Sequence, residues 1–294
     1  EAELFDMKPL NKCTFDTSAD TDGHVLINID SQTSTKKSFV AILNHNMASA
    51  DAKVLIKASD TEAHIQAVNM GSATAMTNPA EVVNADAISS SIVTPATDGS
   101  TIVRFDESAL RYWGIQFEGN SSNTFGATNL FVGCILIGEY YEMPVAPDLS
   151  VKRSIIFDKT TIQESVGGQR YSNMASHGRQ SSSTSKSPFS TAVTNRSTLG
   201  GRLAYDLNFS FLNSTDVMPN EYDVHSVTDD SVIQDVWNRT NGSHLPFIFS
   251  CDKDSEGNDA ESEHIFARFA HNSLDMTQVA HKTWSISMRV EEEF

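Results

Sequence analysis

The run 252–263 places carboxylates at Asp252, Asp254, Glu256 and Glu263, with Gly257 between the third and the fourth. Counted from Asp252, these are positions 1, 3, 5 and 12 of a calcium loop, with glycine at position 6 for the sharp bend. Hard cations take oxygen ligands at such spacing, so calcium is the candidate cofactor. The match is incomplete. Glu256 stands where Asp or Asn is usual, and Asp259 takes a position that is normally apolar. The flanking segments read as strands, whereas the loop needs helices. A solvated acidic hairpin tip accounts for the same residues, and no metal site is assigned.

Other reactive residue types lack the spacing that chemistry needs. The nine histidines are scattered: His24, His45 and His64 share no ligand spacing, and His264, His271 and His281 are seven and ten apart. There is no GxSxG, HExxH or P-loop. Gly167-Gly168, between Val166 and Gln169, marks a turn rather than a phosphate cradle. Glu261 and Glu263 resemble a glycosidase pair only as far as any two acids in an acidic chain do. The chain is therefore read as a non-enzyme. Tyr112 and Trp113 could stack on a sugar, but alternation groups Trp113 with Ile115 and Phe117, an apolar face that belongs in a core. A sugar site would sit instead in the loops around His45-Asn46 or 120–129, with no residue singled out.

Composition narrows the partners. The net charge of −17 opposes a general phosphate-binding surface, so no sequence-specific nucleic acid partner is expected. Three cysteines (Cys13, Cys134, Cys251) show no CxxC or zinc spacing, and Cys134 lies in an apolar run as a buried free thiol. Folding in a reducing cytoplasm follows. No apolar run reaches the roughly 18 residues of a membrane span. The first residues, Glu1 to Asp6, carry no secretory h-region, so the Asn-x-Ser/Thr matches at Asn120, Asn195, Asn213, Asn238 and Asn241 are assigned no glycan.

The elements that carry these residues are strands. In 1–147, alternating or apolar runs at 23–30, 38–43, 52–58, 101–105, 111–117 and 131–141, with a weaker one at 91–93, are separated by turn signals. That spacing predicts a β-sandwich. Met143-Pro144-Val145-Ala146-Pro147-Asp148 marks a boundary, because two prolines resist both helix and sheet. In 148–294, the run 202–211 puts Leu203, Tyr205, Leu207, Phe209 and Phe211 on one buried face. One short helix is predicted over 229–237, with Val232, Ile233, Val236 and Trp237 at helical spacing. Strands follow at 245–249, 264–269 and 284–290. The Ser-rich stretch 172–197 has no apolar anchor and reads as a long mobile loop. The fold class is all-β, with two sandwich units.

Two resemblances add to this. The ordered segments 27–30, 39–46, 52–59, 112–117 and 135–140 resemble a galactose-binding-like jelly roll of the kind found in tailed-phage virion proteins. The segments 202–211, Trp237 with 245–249, and 277–280 with 284–292 resemble the tail-tube β-sandwich of phage tail and distal-tail proteins. In distal-tail proteins the tube-like domain comes first; here it comes second. The resemblance implies a structural virion protein in the tail or baseplate, made in the host cytoplasm. It would form a homo-oligomeric ring, a hexamer, with other tail or baseplate proteins as neighbours and the loop 172–197 ordering on assembly. The alternative it implies is a carbohydrate-binding, host-recognition module whose partner is a glycan.

Overall fold

The computed structural model describes residues 2–84, 87–121, 123–156, 160–174, 202–218, 231–252 and 263–293. The fold is all-β, with two sandwich-like units built from antiparallel sheets.

Two sheets face each other in the first unit. One has the order His24–Asp30, Tyr112–Gly119, Ala52–Ser59, Ile92–Thr94, Ala87–Ile88, with Thr74–Ala75 also paired to Ala52–Ser59. The other runs Cys134–Gly138, Lys37–His45, Gly99–Ser108, Ala80–Val83. Alternation explains what lies between them. Trp113, Ile115 and Phe117 point inward from one strand and meet Val54 and Ile56, Val40 and Ile42, and Val103 and Phe105. The Trp113 indole is buried, with its ring centroid 5.5 Å from that of Phe105 and its N–H donated to Leu110 O at 3.0 Å. Core packing is its role, as its face predicts.

Both outer faces of this sandwich are also covered. The short helical turns Glu62–Gln66 and Val68–Met70 lie over the first sheet, where Ile65 and Met70 join Leu55 in a small cluster. Gln116 is fully buried beneath them. Its amide is satisfied there: Asn69 N–H donates to Oε1 at 2.8 Å, and Nε2 donates to Asn69 Oδ1 and Glu118 Oε2. Lys53 Nζ lies 3.2 Å from the other Glu118 oxygen and balances its charge. The strand Tyr112–Gly119 is therefore buried on two faces. On the opposite side of the sandwich, Ala41, Leu43, Val83, Ile102 and Cys134 surround Phe266, which belongs to the second unit. Fully burying a side chain of that size contributes about 2–3 kcal/mol.

The second unit is built on one six-stranded sheet with the order Lys152–Ile156, Arg202–Asn213, Thr283–Glu292, His264–Phe269, Phe247–Ser250, with Met276–Ala280 paired to Thr283–Glu292. Thr283–Glu292 thus lies centrally, and its Ile286, Met288 and Val290 feed the core. The predicted short helix is a π-helix over Val232–Asn238, and it packs Val232, Ile233, Val236 and Trp237 on the sheet. Residue 229, the expected start, lies outside the described residues. A second helical turn, Ser214–Val217, was not expected from the sequence.

One expectation for this unit is corrected. Leu203, Tyr205, Leu207 and Phe209 face the core as alternation requires, but Phe211 is 74% exposed and Leu212 is fully buried. Pairing with Thr283–Glu292 shifts register between Phe209 and Leu212. This β-bulge inserts an extra residue and reverses the side-chain direction beyond it. The proline-containing boundary is also less exposed than its composition suggests: Tyr141, Met143 and Val145 pack against the second core.

Candidate functional site

Of the four carboxylates of the calcium template, only Asp252 and Glu263 fall within the described residues. Asp254 and Glu256 lie outside those residues. Asp252 follows the strand Phe247–Ser250, and Glu263 faces Arg153 at 3.5 Å. Among the described residues no group of three His, Cys, Asp or Glu is placed to hold a metal ion. No helix among them is long and apolar enough to cross a membrane.

Of the two loop regions considered from sequence for a sugar, the pair His45-Asn46 is structural. His45 and Asn46 are buried. Asn46 spans two loops, donating Nδ2–H to Asn129 O at 2.9 Å and accepting Phe131 N–H at 2.7 Å. Asn129 Oδ1 in turn accepts the amides of Thr17 and Ser18. These polar atoms hold chain segments together. Burial also pushes the His45 imidazole down to about 3.

Two of the thiols are shielded from water. Cys134 is fully buried and its thiol is pushed up to about 12, mainly by desolvation. Desolvation likewise pushes Cys251 up to about 11, with Glu263 adding to it. At neutral pH neither is a thiolate nucleophile.

What stands out instead is a hairpin arm, Thr160–Glu164 paired with Arg170–Met174, which forms a two-stranded sheet of its own. Its turn is the glycine pair read from the sequence. Gly168 takes φ +79°, Gly168 N–H donates to Ser165 O at 2.8 Å, and Ser165 N–H donates to Gln169 O at 2.9 Å. A side chain at 168 would be strained, which is why glycine stands there. The arm's side-chain contacts are polar: Arg170 Nε meets Glu164 Oε2 across the strands at 3.3 Å, and Tyr171 donates its hydroxyl to Oε1 of Gln169 in the turn at 3.0 Å. The apolar side chains described in it are not buried. Ile162, Val166 and Tyr171 are all exposed, as is Ile155 on the neighbouring edge strand Lys152–Ile156.

A lone two-stranded hairpin is marginal in water and gains stability only by packing on something else. An edge strand offers unpaired backbone groups beside it. The sequence reading missed this arm, since it began a mobile loop at 172. Ser172, Asn173 and Met174 belong to the second strand, opposite Ile162, Thr161 and Thr160. The usable signal was Gly167-Gly168 flanked by Ile162 and Tyr171. Residues 175–201, the bulk of the Ser-rich stretch, lie outside the described residues.

Compared with protein-family models, with curated proteins and with solved structures, the chain matches none.

Proposed function

We propose that this chain is a structural protein of a tailed-phage virion, in the tail or baseplate, and that identical copies close into a ring through the second unit. The observation that supports this reading is the arm Thr160–Met174 with Ile162, Val166 and Tyr171 in solvent, following in sequence the edge strand that exposes Ile155. Head-to-tail contacts between an arm and a neighbour's edge generate rings when the rotation closes. A ring of chains each carrying −17 would present DNA with a repulsive lumen, which lets it pass without adhering. No residue acts as a catalyst in this reading.

Native mass spectrometry with negative-stain imaging tests it. The chain should give rings with a central hole, and the mass should give the copy number, six by the resemblance. The double variant Ile162→Ser, Tyr171→Ser changes only exposed side chains and should leave a folded monomer. A wild-type chain that stays monomeric at every concentration, or a variant that assembles as well as the wild type, would sink the reading.

A further inference from the structure

A pocket of about 440 Å³ lies beside the end of the helix Val232–Asn238, lined by Trp237, Asn238, Asn241, Gly242 and Asn272. The turn after the helix builds it. Asn241 (φ 49°) and Gly242 (φ 64°) both adopt left-handed conformations, and Gly242 N–H donates to Trp237 O at 3.0 Å. The chain thereby returns across the indole: a Cβ on Gly242 would meet Trp237 Cζ2 at 3.4 Å. His271 stacks on the same indole, with centroids 5.4 Å apart and planes 18° from parallel. The imidazole is itself held. Its Nε2 must accept from Arg289 N–H at 3.1 Å, so Nδ1 carries the proton and donates to Ser273 O at 2.6 Å. Trp237 is thus a fixed aromatic wall.

The polar atoms of this pocket are amides. Three asparagines line it and no charged side chain does, although one residue in five of the chain is charged (20%). An asparagine amide carries two donors and an acceptor in one plane, and the two exposed ones here are Asn241 and Asn272. Asn272 Oδ1 accepts the Ser243 hydroxyl, which leaves its NH₂ as the group it can offer a ligand. The Trp237 indole N–H has no protein acceptor among the described residues. An anion would find no cation here, and an apolar ligand would leave the exposed Asn241 and Asn272 amides without a partner from the ligand. A pyranose ring satisfies both requirements: its C–H groups suit the part of the indole that lines the pocket, and its neighbouring hydroxyls suit planar amides. The volume falls in the range of small-ligand pockets, roughly 300–1,000 Å³.

We propose that this pocket binds a neutral saccharide. It is formed within one chain, so it stands or falls separately from ring assembly. It also differs from the sugar site that the sequence placed in the first unit, since every lining residue belongs to the second.

The chain has three tryptophans, so ¹⁹F NMR of the full chain labelled with 5-fluorotryptophan reads each indole separately, with Trp237→Phe identifying the resonance at issue. Glucose, galactose, N-acetylglucosamine, maltose and lactose are titrated singly to about 50 mM, the range in which weak single-site binding is seen. The Trp237 resonance should shift and saturate with at least one of them. Asn241 and Asn272 are both exposed, so Asn241→Ala, Asn272→Ala should stay folded and weaken that binding about tenfold or more. The proposal is overturned if no saccharide moves the Trp237 resonance, if the double variant binds as well as the wild type, or if adenosine shifts it and no saccharide does.

Discussion

His45 Nε2 lies 2.9 Å from Thr101 Oγ1, and both residues are sealed inside the first sandwich. Met47 N–H donates to His45 Nδ1 at 3.2 Å, so the ring is neutral with its proton on Nε2. Thr101 passes the chain on by donating its hydroxyl to Asn84 O at 3.1 Å. A second proton on Nδ1 would face an N–H and would be buried away from water.

That arrangement makes stability depend on pH. Burial lowers the folded imidazole from 6.5 to about 3, so between those values the unfolded chain binds more protons than the folded one. The contribution is intact above 6.5 and is lost as pH falls through that window. From about pH 7.5 to about pH 5 the urea-derived stability should drop by about 2 kcal/mol through this group. His45→Gln should flatten that part of the curve. An unchanged slope in the variant would show that other groups set it. Asp30 titrates lower: Arg111 grips it with two hydrogen bonds and holds it at about 2, so it does not confuse this window.

Gly114 faces Met70. A Cβ at 114 would overlap the Met70 sulfur and would stand 3.2 Å from Ile65 Cβ. Gly114→Ala should therefore cost about 1–3 kcal/mol by overpacking. Met70→Ala in the same chain should recover part of that loss, because it removes the clash, and a double-mutant cycle in urea would measure the coupling. Additive effects would mean that residues 62–70 do not sit on the sheet as described.

Gln116 shows where sequence pattern stops being informative. Trp113, Ile115 and Phe117 were legible as core because alternation is a local property of one strand. Gln116 looked like the polar, outward partner of that pattern, yet it is fully buried. Its burial comes from the helical turns at 62–70 folding over the sheet, and that is a tertiary event that no periodicity encodes. The same holds for the candidate sites. Asp252 and Glu263 were visible as a spacing, whereas Trp237, Asn241 and Asn272 meet only because Gly242 turns the chain and a distant strand brings His271 alongside.

Phe266 ties the two units together. It is carried by a strand of the second sheet but buried among Ala41, Leu43, Val83, Ile102 and Cys134 of the first unit. Arg239 Nη2 adds a 2.7 Å contact to Glu139 Oε2, while partial burial raises the Glu139 carboxyl despite that partner. Phe266→Ala should cost about 3–5 kcal/mol. Because the lost contacts are between units, calorimetry should resolve two transitions in the variant where the wild type gives one. A single transition at lower temperature would place Phe266 in one unit's own core.

The bulge in Arg202–Asn213 makes opposite predictions for adjacent residues. Alternation alone buries Phe211 and exposes Leu212; the register shift after Phe209 reverses both. Phe211→Ser should then change the monomer's stability by no more than about 0.5 kcal/mol, as surface substitutions do. Leu212→Ala should cost about 2–5 kcal/mol, since it empties a fully enclosed site. Urea melts of the two variants decide it. A costly Phe211→Ser with a harmless Leu212→Ala would mean an unbroken strand, and Ser214–Val217 would then have to leave its place against Trp284, whose indole N–H donates to Ser214 Oγ at 2.9 Å.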